Sequence, residues 1–180
     1  MTVYIFGESF APGTYQMPSV MSLFNAIYMT GGPNENGSLR RIQLKRTNGS
    51  VQEYDFYRLL IKGDRKQDVP LEPGDVITIL HAGDRVAFEG EVTQPAIYEL
   101  KRGEDLHDLI TWSEGIKPSG ITQKISIEKT SPGLERVLVD ADAAINDKTN
   151  NPILRDGDDV NVYSIRPELV NEVTIEGPVD

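Results

Sequence analysis

Two spacings of apolar residues alternate along the chain and set out its elements. Val3 and Ile5 fall on one side of an extended segment, as do Val86 and Phe88 further on, and this period of two predicts a strand at each place. A Gly-to-Pro stretch follows each, Gly7 to Pro12 and Gly90 to Pro95, and predicts a bend into a second strand ending near Met17 or Leu100. The period then lengthens. Leu106, Leu109, Ile110 and Ser113 share one helical face, with Glu104, Asp105 and Asp108 near its start, where the backbone dipole favours negative charge. The matching earlier face is Leu23, Ala26, Ile27 and Thr30. Gly31-Gly32-Pro33 and Gly115-Ile116-Lys117-Pro118 supply the left-handed residue and downstream proline that stop a helix. Two more strands follow, Leu39 to Arg46 and Val51 to Phe56, joined through Asn48-Gly49, a pair suited to the positive φ angles of a tight hairpin turn; Ser131-Pro132-Gly133 takes that place later. Turns at Glu72-Pro73-Gly74-Asp75 and Arg155-Asp156-Gly157-Asp158 lead into closing strands, Val76 to Leu80 and Val160 to Tyr163.

The series is one unit written twice. A shift of 83 residues lays Gly7-Glu8 on Gly90-Glu91, Pro12 on Pro95, Tyr15 on Tyr98, Leu23 on Leu106, Ile27 on Ile110, Ile42 on Ile125, Leu71 on Leu154 and Gly74-Asp75 on Gly157-Asp158, without a gap. Val173 to Val179 then repeats the opening. Hairpin, helix, hairpin and last strand predict an α+β fold: tandem β-grasp (ubiquitin-like) domains, each a mixed sheet with one helix packed across it. The expected domains are 1–80 and 84–165, with 171–180 as the first strand of a truncated third repeat. At about 80 residues a copy buries a modest core, so contact between copies is expected to add stability.

Composition narrows the chemistry. The chain has 180 residues, 38% of them hydrophobic and 26% charged, which fits a soluble globular protein. No apolar run approaches the roughly 18 to 20 residues of a membrane-spanning helix, and Met1 leads straight into the first strand, so as given the chain is expected neither to span a bilayer nor to carry its own export signal. With no cysteine, thiolate metal sites, sulfur redox chemistry and disulfides are out. Residues 1–83 hold eight of the eighteen Lys/Arg and eight of the twenty-eight Asp/Glu, so residues 84–180 carry the whole net charge of −10. An acidic surface repels a phosphate backbone, and nucleic acid is not expected as a partner of that half.

No catalytic or metal-binding constellation emerges. His81 and His107 stand alone, outside any chelating spacing, and are expected to face solvent. Glu8 and Glu91 occupy equivalent loop positions, but a glycosidase needs its two acids about 5 to 9.5 Å apart, and equivalent sites on separate domains do not meet so closely. The expectation is a non-enzyme without cofactor or metal, and with both glutamates solvated. Arg40, Arg41, Lys45 and Arg46 cluster on one strand, where alternation turns Arg41 and Lys45 one way, and Arg40 and Arg46 the other, with Ile42 and Leu44. Two readings stand: an edge strand guarded by charge, or a basic strip that docks on the acidic second copy of a neighbouring chain in a homo-oligomer.

Gly90-Glu91-Val92 followed by Pro95, Tyr98 and Leu100, then the helix with Leu109-Ile110 and the closing Gly115, resembles the SLBB domain, the soluble ligand-binding β-grasp unit. Tandem copies are most similar to the periplasmic part of Wza-type outer-membrane polysaccharide export proteins. Two other settings of this domain call for a Gly-rich helix-hairpin-helix or for four cluster-binding cysteines, and the chain has neither. The resemblance implies a non-enzymatic periplasmic segment, in a parent protein attached to the outer membrane. It implies an oligomeric conduit for a passing polysaccharide that works with inner-membrane export machinery. A glycan-binding module or protein-interaction adaptor with a β-grasp pocket is the alternative. In either, Tyr15, Tyr98 and Trp112 are candidate sugar contacts; the tyrosines alternatively pack in the core, and Trp112 lies about 100° from the centre of its helix's apolar face, at a boundary. The export domain, lipoprotein signal and membrane helix of such proteins find no match, so the chain is expected to be an internal fragment or a truncated relative.

Overall fold

The computed structural model describes residues 1–130, 135–140, 142 and 151–165. The first half runs β1 (Thr2–Gly7), β2 (Gly13–Gln16), α1 (Leu23–Met29), β3 (Gly37–Lys45), β4 (Val51–Tyr54), α2 (Tyr57–Lys62), a 3-10 turn (Arg65–Gln67) and β5 (Val76–His81). The second runs β6 (Asp84–Gly90), β7 (Ala96–Leu100), α3 (Leu106–Trp112), β8 (Gly120–Lys129), β9 (Glu135–Val139) and β10 (Asp159–Ser164).

Each half forms a five-stranded mixed sheet, in the orders β2-β1-β5-β3-β4 and β7-β6-β10-β8-β9. The central pairs, β1 with β5 and β6 with β10, are parallel, and the other pairs are antiparallel. This is the β-grasp arrangement written twice, as the repeat predicts. Val3, Ile5, Ile42, Leu44, Ile77 and Ile79 line one face of the first sheet, and Leu23, Ala26 and Ile27 of α1 close over it; Val86, Phe88, Ile125, Ile127, Val160 and Val162 do so under Leu106, Leu109 and Ile110 of α3.

The helix ends follow from their residues. The Ser22 side chain accepts from the Asn25 amide, and Asp105 and Asp108 cap each other's backbone in a capping box. Gly32 N–H returns to the Ile27 carbonyl and Gly115 N–H to that of Ile110, both at 2.9 Å. Gly7 and Gly90 are set by a close approach: a Cβ at either would lie 2.1 or 2.2 Å from the carbonyl oxygen of Ile79 or Val162 on the parallel neighbour.

Three features depart from the expected pattern. β3 lies between β5 and β4, so the basic strand is internal to the sheet. The β3–β4 connection is wider than a two-residue turn: Gly49 alone takes positive φ, Gly49 N–H reaches the Arg46 carbonyl, and Asn48 accepts from the Ser50 amide. The first half carries a second helix, α2, where one was expected, started by the Asp55 carboxylate accepting from the Tyr57 amide and stopped by Gly63 at φ 67°. The turn Ser131-Pro132-Gly133 and the truncated repeat at 171–180 lie outside the described residues.

Candidate functional site

Only Ala82 and Gly83 separate β5 from β6, and the two halves meet around one side chain, Arg40. Alternation puts Arg40 on the same face as Ile42 and Leu44. The pairing of β3 with β5 slips between Gly37 and Ile42, and this bulge carries residues 38–41 away from β5 toward the second half. There Arg40 is 1% exposed. Its guanidinium makes a fork with Glu104 at 2.5 and 2.6 Å, donates from Nη1 to the Glu99 carbonyl at 2.7 Å, and reaches Asp55 from Nε and Nη2 at 3.3 and 3.2 Å. Every N–H of the fork has an acceptor. The Tyr57 and Trp112 rings lie 4.4 and 4.8 Å from the guanidinium carbon, and the two rings meet edge to face.

The surrounding contacts also cross the junction. Tyr57 Oη accepts from the Glu99 amide at 2.7 Å, Ser38 Oγ donates to Glu99 Oε1 at 2.6 Å, and the Arg85 side chain donates to the Glu35 and Gly37 carbonyls. Leu39, Tyr57 and Ile61 pack into the hydrophobic cluster of the second half. Burial alone would depress the Arg40 pKa, but bonds and charge from Glu104 and Asp55 outweigh it and hold the pKa above the usual arginine value. Burial pushes the Tyr57 hydroxyl up to about 12. A buried cation is costly unless every donor is met, and here the two halves together meet them. The junction is therefore one packed unit and not a loose hinge.

Beside it opens a cleft of about 900 Å³ whose walls come from both halves, with Arg41 and Glu53 on one side and Lys101, Arg102, Arg155 and Asp156 on the other. Glu104 also lines it and accepts from the Lys101 amide at 2.8 Å as well as from Arg40, pinning the turn that carries Arg102 and Gly103.

The residues singled out in the sequence scatter across this picture. Arg40 meets acids of its own chain's second half in place of a neighbouring chain. Arg46 donates to Asp75 at 2.7 Å and to the Pro70 carbonyl, closing the turn before β5. Arg41 and Lys45 are exposed. Tyr15 and Tyr98 each turn their hydroxyl onto the preceding loop, at the Ala11 and Gln94 carbonyls, and Tyr98 is 5% exposed, which leaves it no face for a sugar. Trp112 is half-buried at the boundary, under Arg40. Glu8 and Glu91 tie loops within separate sheets, accepting from Asn34 and Ser119, and are not merely solvated. His81 is exposed, whereas His107 is partly buried. Among the described residues no group of His, Asp and Glu is arranged to hold a metal ion.

Residues 2–55 match the family model of the SLBB domain. The match lies within the first half and agrees with the resemblance and with the β-grasp topology. Among the described residues no helix is long and apolar enough to cross a membrane.

Proposed function

We propose that the chain is a non-enzymatic periplasmic segment of a polysaccharide export protein, in which two β-grasp domains, 1–80 and 84–165, form a rigid wall piece of an oligomeric conduit, and 171–180 begins a third. The observation that carries this reading is the SLBB match on a module locked, through Arg40, to a second copy of its own fold. A wall under a moving polymer needs fixed geometry between modules, and a buried multi-residue junction with a two-residue linker supplies it. The neutral first half and acidic second half, with Lys45 exposed on the outer face of β3, suit charge-assisted contact between copies, and the export machinery of the inner membrane would be the further partner. Deleting the segment from its parent gene should stop polymer reaching the cell surface and trap it in the periplasm. Undiminished surface polymer would refute the reading.

The cleft favours a second reading, a receptor for a discrete soluble ligand. Tight one-to-one binding without self-association in sedimentation would favour it, whereas weak glycan contact with salt-sensitive self-association favours the conduit.

A further inference from the structure

We propose that the cleft beside Arg40 is a binding site for carboxylate-bearing sugar chains, with Arg41, Arg102 and Arg155 as the groups that hold the carboxylates. The sugar class rests on the export reading above; the charge pattern of the cleft is independent of it.

The arginines of the chain sort into two sets. Arg40, Arg46, Arg65, Arg85 and Arg136 each donate to a carboxylate or carbonyl of the chain. Of the other described arginines, Arg41, Arg58, Arg102 and Arg155, none makes an ion pair, and all but Arg58 line this single cleft. They arrive from β3, from the turn after β7 and from the turn before β10, so both halves contribute. Guanidinium groups left without acids and gathered in one concavity between two domains fit a ligand with acceptor oxygens.

The remaining lining selects among anions. Lys101 is engaged by Asp55 at 3.0 Å and Glu104 by Arg40, while Glu53, Asp84 and Asp156 also border the cleft. Those carboxylates repel a compact multiply charged group such as phosphate, yet accept from hydroxyls. A uronate chain offers both partners: singly charged planar carboxylates for the guanidiniums and hydroxyls for the acids. Exposed Ile153 gives the C–H faces of the sugar an apolar contact. Because the Arg102 turn is pinned through Glu104 to Arg40, one wall of the site is preformed.

Calorimetric titration of the full chain with hexagalacturonate, maltohexaose and inorganic phosphate tests this. Hexagalacturonate should bind weakly but saturably and lose affinity as salt rises, with maltohexaose silent and phosphate weaker. Arg41→Gln, Arg102→Gln and Arg155→Gln, at exposed positions, should each weaken it about tenfold, and Arg58→Gln should leave it unchanged. No uronate binding, binding indifferent to the Arg41, Arg102 and Arg155 substitutions, or equal binding of maltohexaose or phosphate would overturn the site. The deletion experiment reads export separately, so a silent titration alongside blocked export removes the site and leaves the conduit.

Discussion

Arg40 of β3 and Glu104 of the turn before α3 form a two-pronged ion pair between the halves, at 2.5 and 2.6 Å, with the arginine 1% exposed. Glu104 in turn holds the Lys101 amide. A single guanidinium is therefore tied both to the second half and, through Glu104, to the turn that borders the cleft.

Removing that guanidinium takes from Asp55, Glu104 and the Glu99 carbonyl the donor they share, and leaves the two carboxylates only Lys101 and backbone amides as partners. Arg40→Met should cost roughly 3 kcal/mol, and Arg40→Lys should recover little, since one ammonium cannot serve three acceptors in a plane. Trp112 is the chain's only tryptophan and lies in the junction, so its fluorescence should change at lower denaturant than backbone circular dichroism in Arg40→Met. Coincident transitions at the wild-type midpoint would contradict this.

Tyr57 makes the junction sensitive to alkali. Its hydroxyl is raised from 10.0 to about 12, so the folded chain keeps a proton that the unfolded chain has lost. Its contribution is whole below pH 10 and fades as pH rises toward 12, by roughly 2 to 3 kcal/mol. Urea unfolding at pH 9 and 11.5 should show a larger loss for the wild type than for Tyr57→Phe. Equal losses would count against the assignment.

Glu114 holds φ at 62°, where the first half has Gly31 at 88°. A left-handed glutamate costs about 1 kcal/mol relative to glycine, and its side chain makes only an exposed bond with Gln94. Glu114→Gly should raise the melting temperature by a few degrees; an unchanged or lower value would show that no strain is held there.

Gly7 and Gly49 both have positive φ but differ in surroundings. A Cβ at Gly7 strikes the Ile79 carbonyl oxygen, whereas one at Gly49 meets nothing within 4 Å. Gly7→Ala should cost about 2 to 4 kcal/mol, and Gly49→Ala about 1. Similar losses in the two variants would argue against the close β1–β5 approach.

The alternation of Val3 with Ile5, the helical faces and the register of the repeat were enough to read the β-grasp topology, because each reports a buried face that the backbone period alone sets. Alternation also turned Arg40 toward Ile42 and Leu44, which is its true side. The partner it meets there was not legible, because the bulge at 38–41 and the packing of one copy on the next are tertiary events without a local signature. A signal did exist: the repeat puts neutral Gln123 opposite Arg40 and Asp140 opposite Tyr57, so these two residues serve a purpose that the second copy lacks. Helix α2 went unread because the expected strand ran to Phe56 and no element was assigned between it and the turn at Glu72, although Tyr57, Leu60, Ile61 and the terminal Gly63 carry a helical spacing and stop.

Residual dipolar couplings of backbone amides in a weakly aligned sample bear most directly on the claim that the two modules behave as one body. A single alignment tensor should fit β1–β5 and β6–β10 together in the wild type and split into two in Arg40→Met combined with Tyr57→Phe. Separate tensors for the halves of the unmodified chain would contradict it.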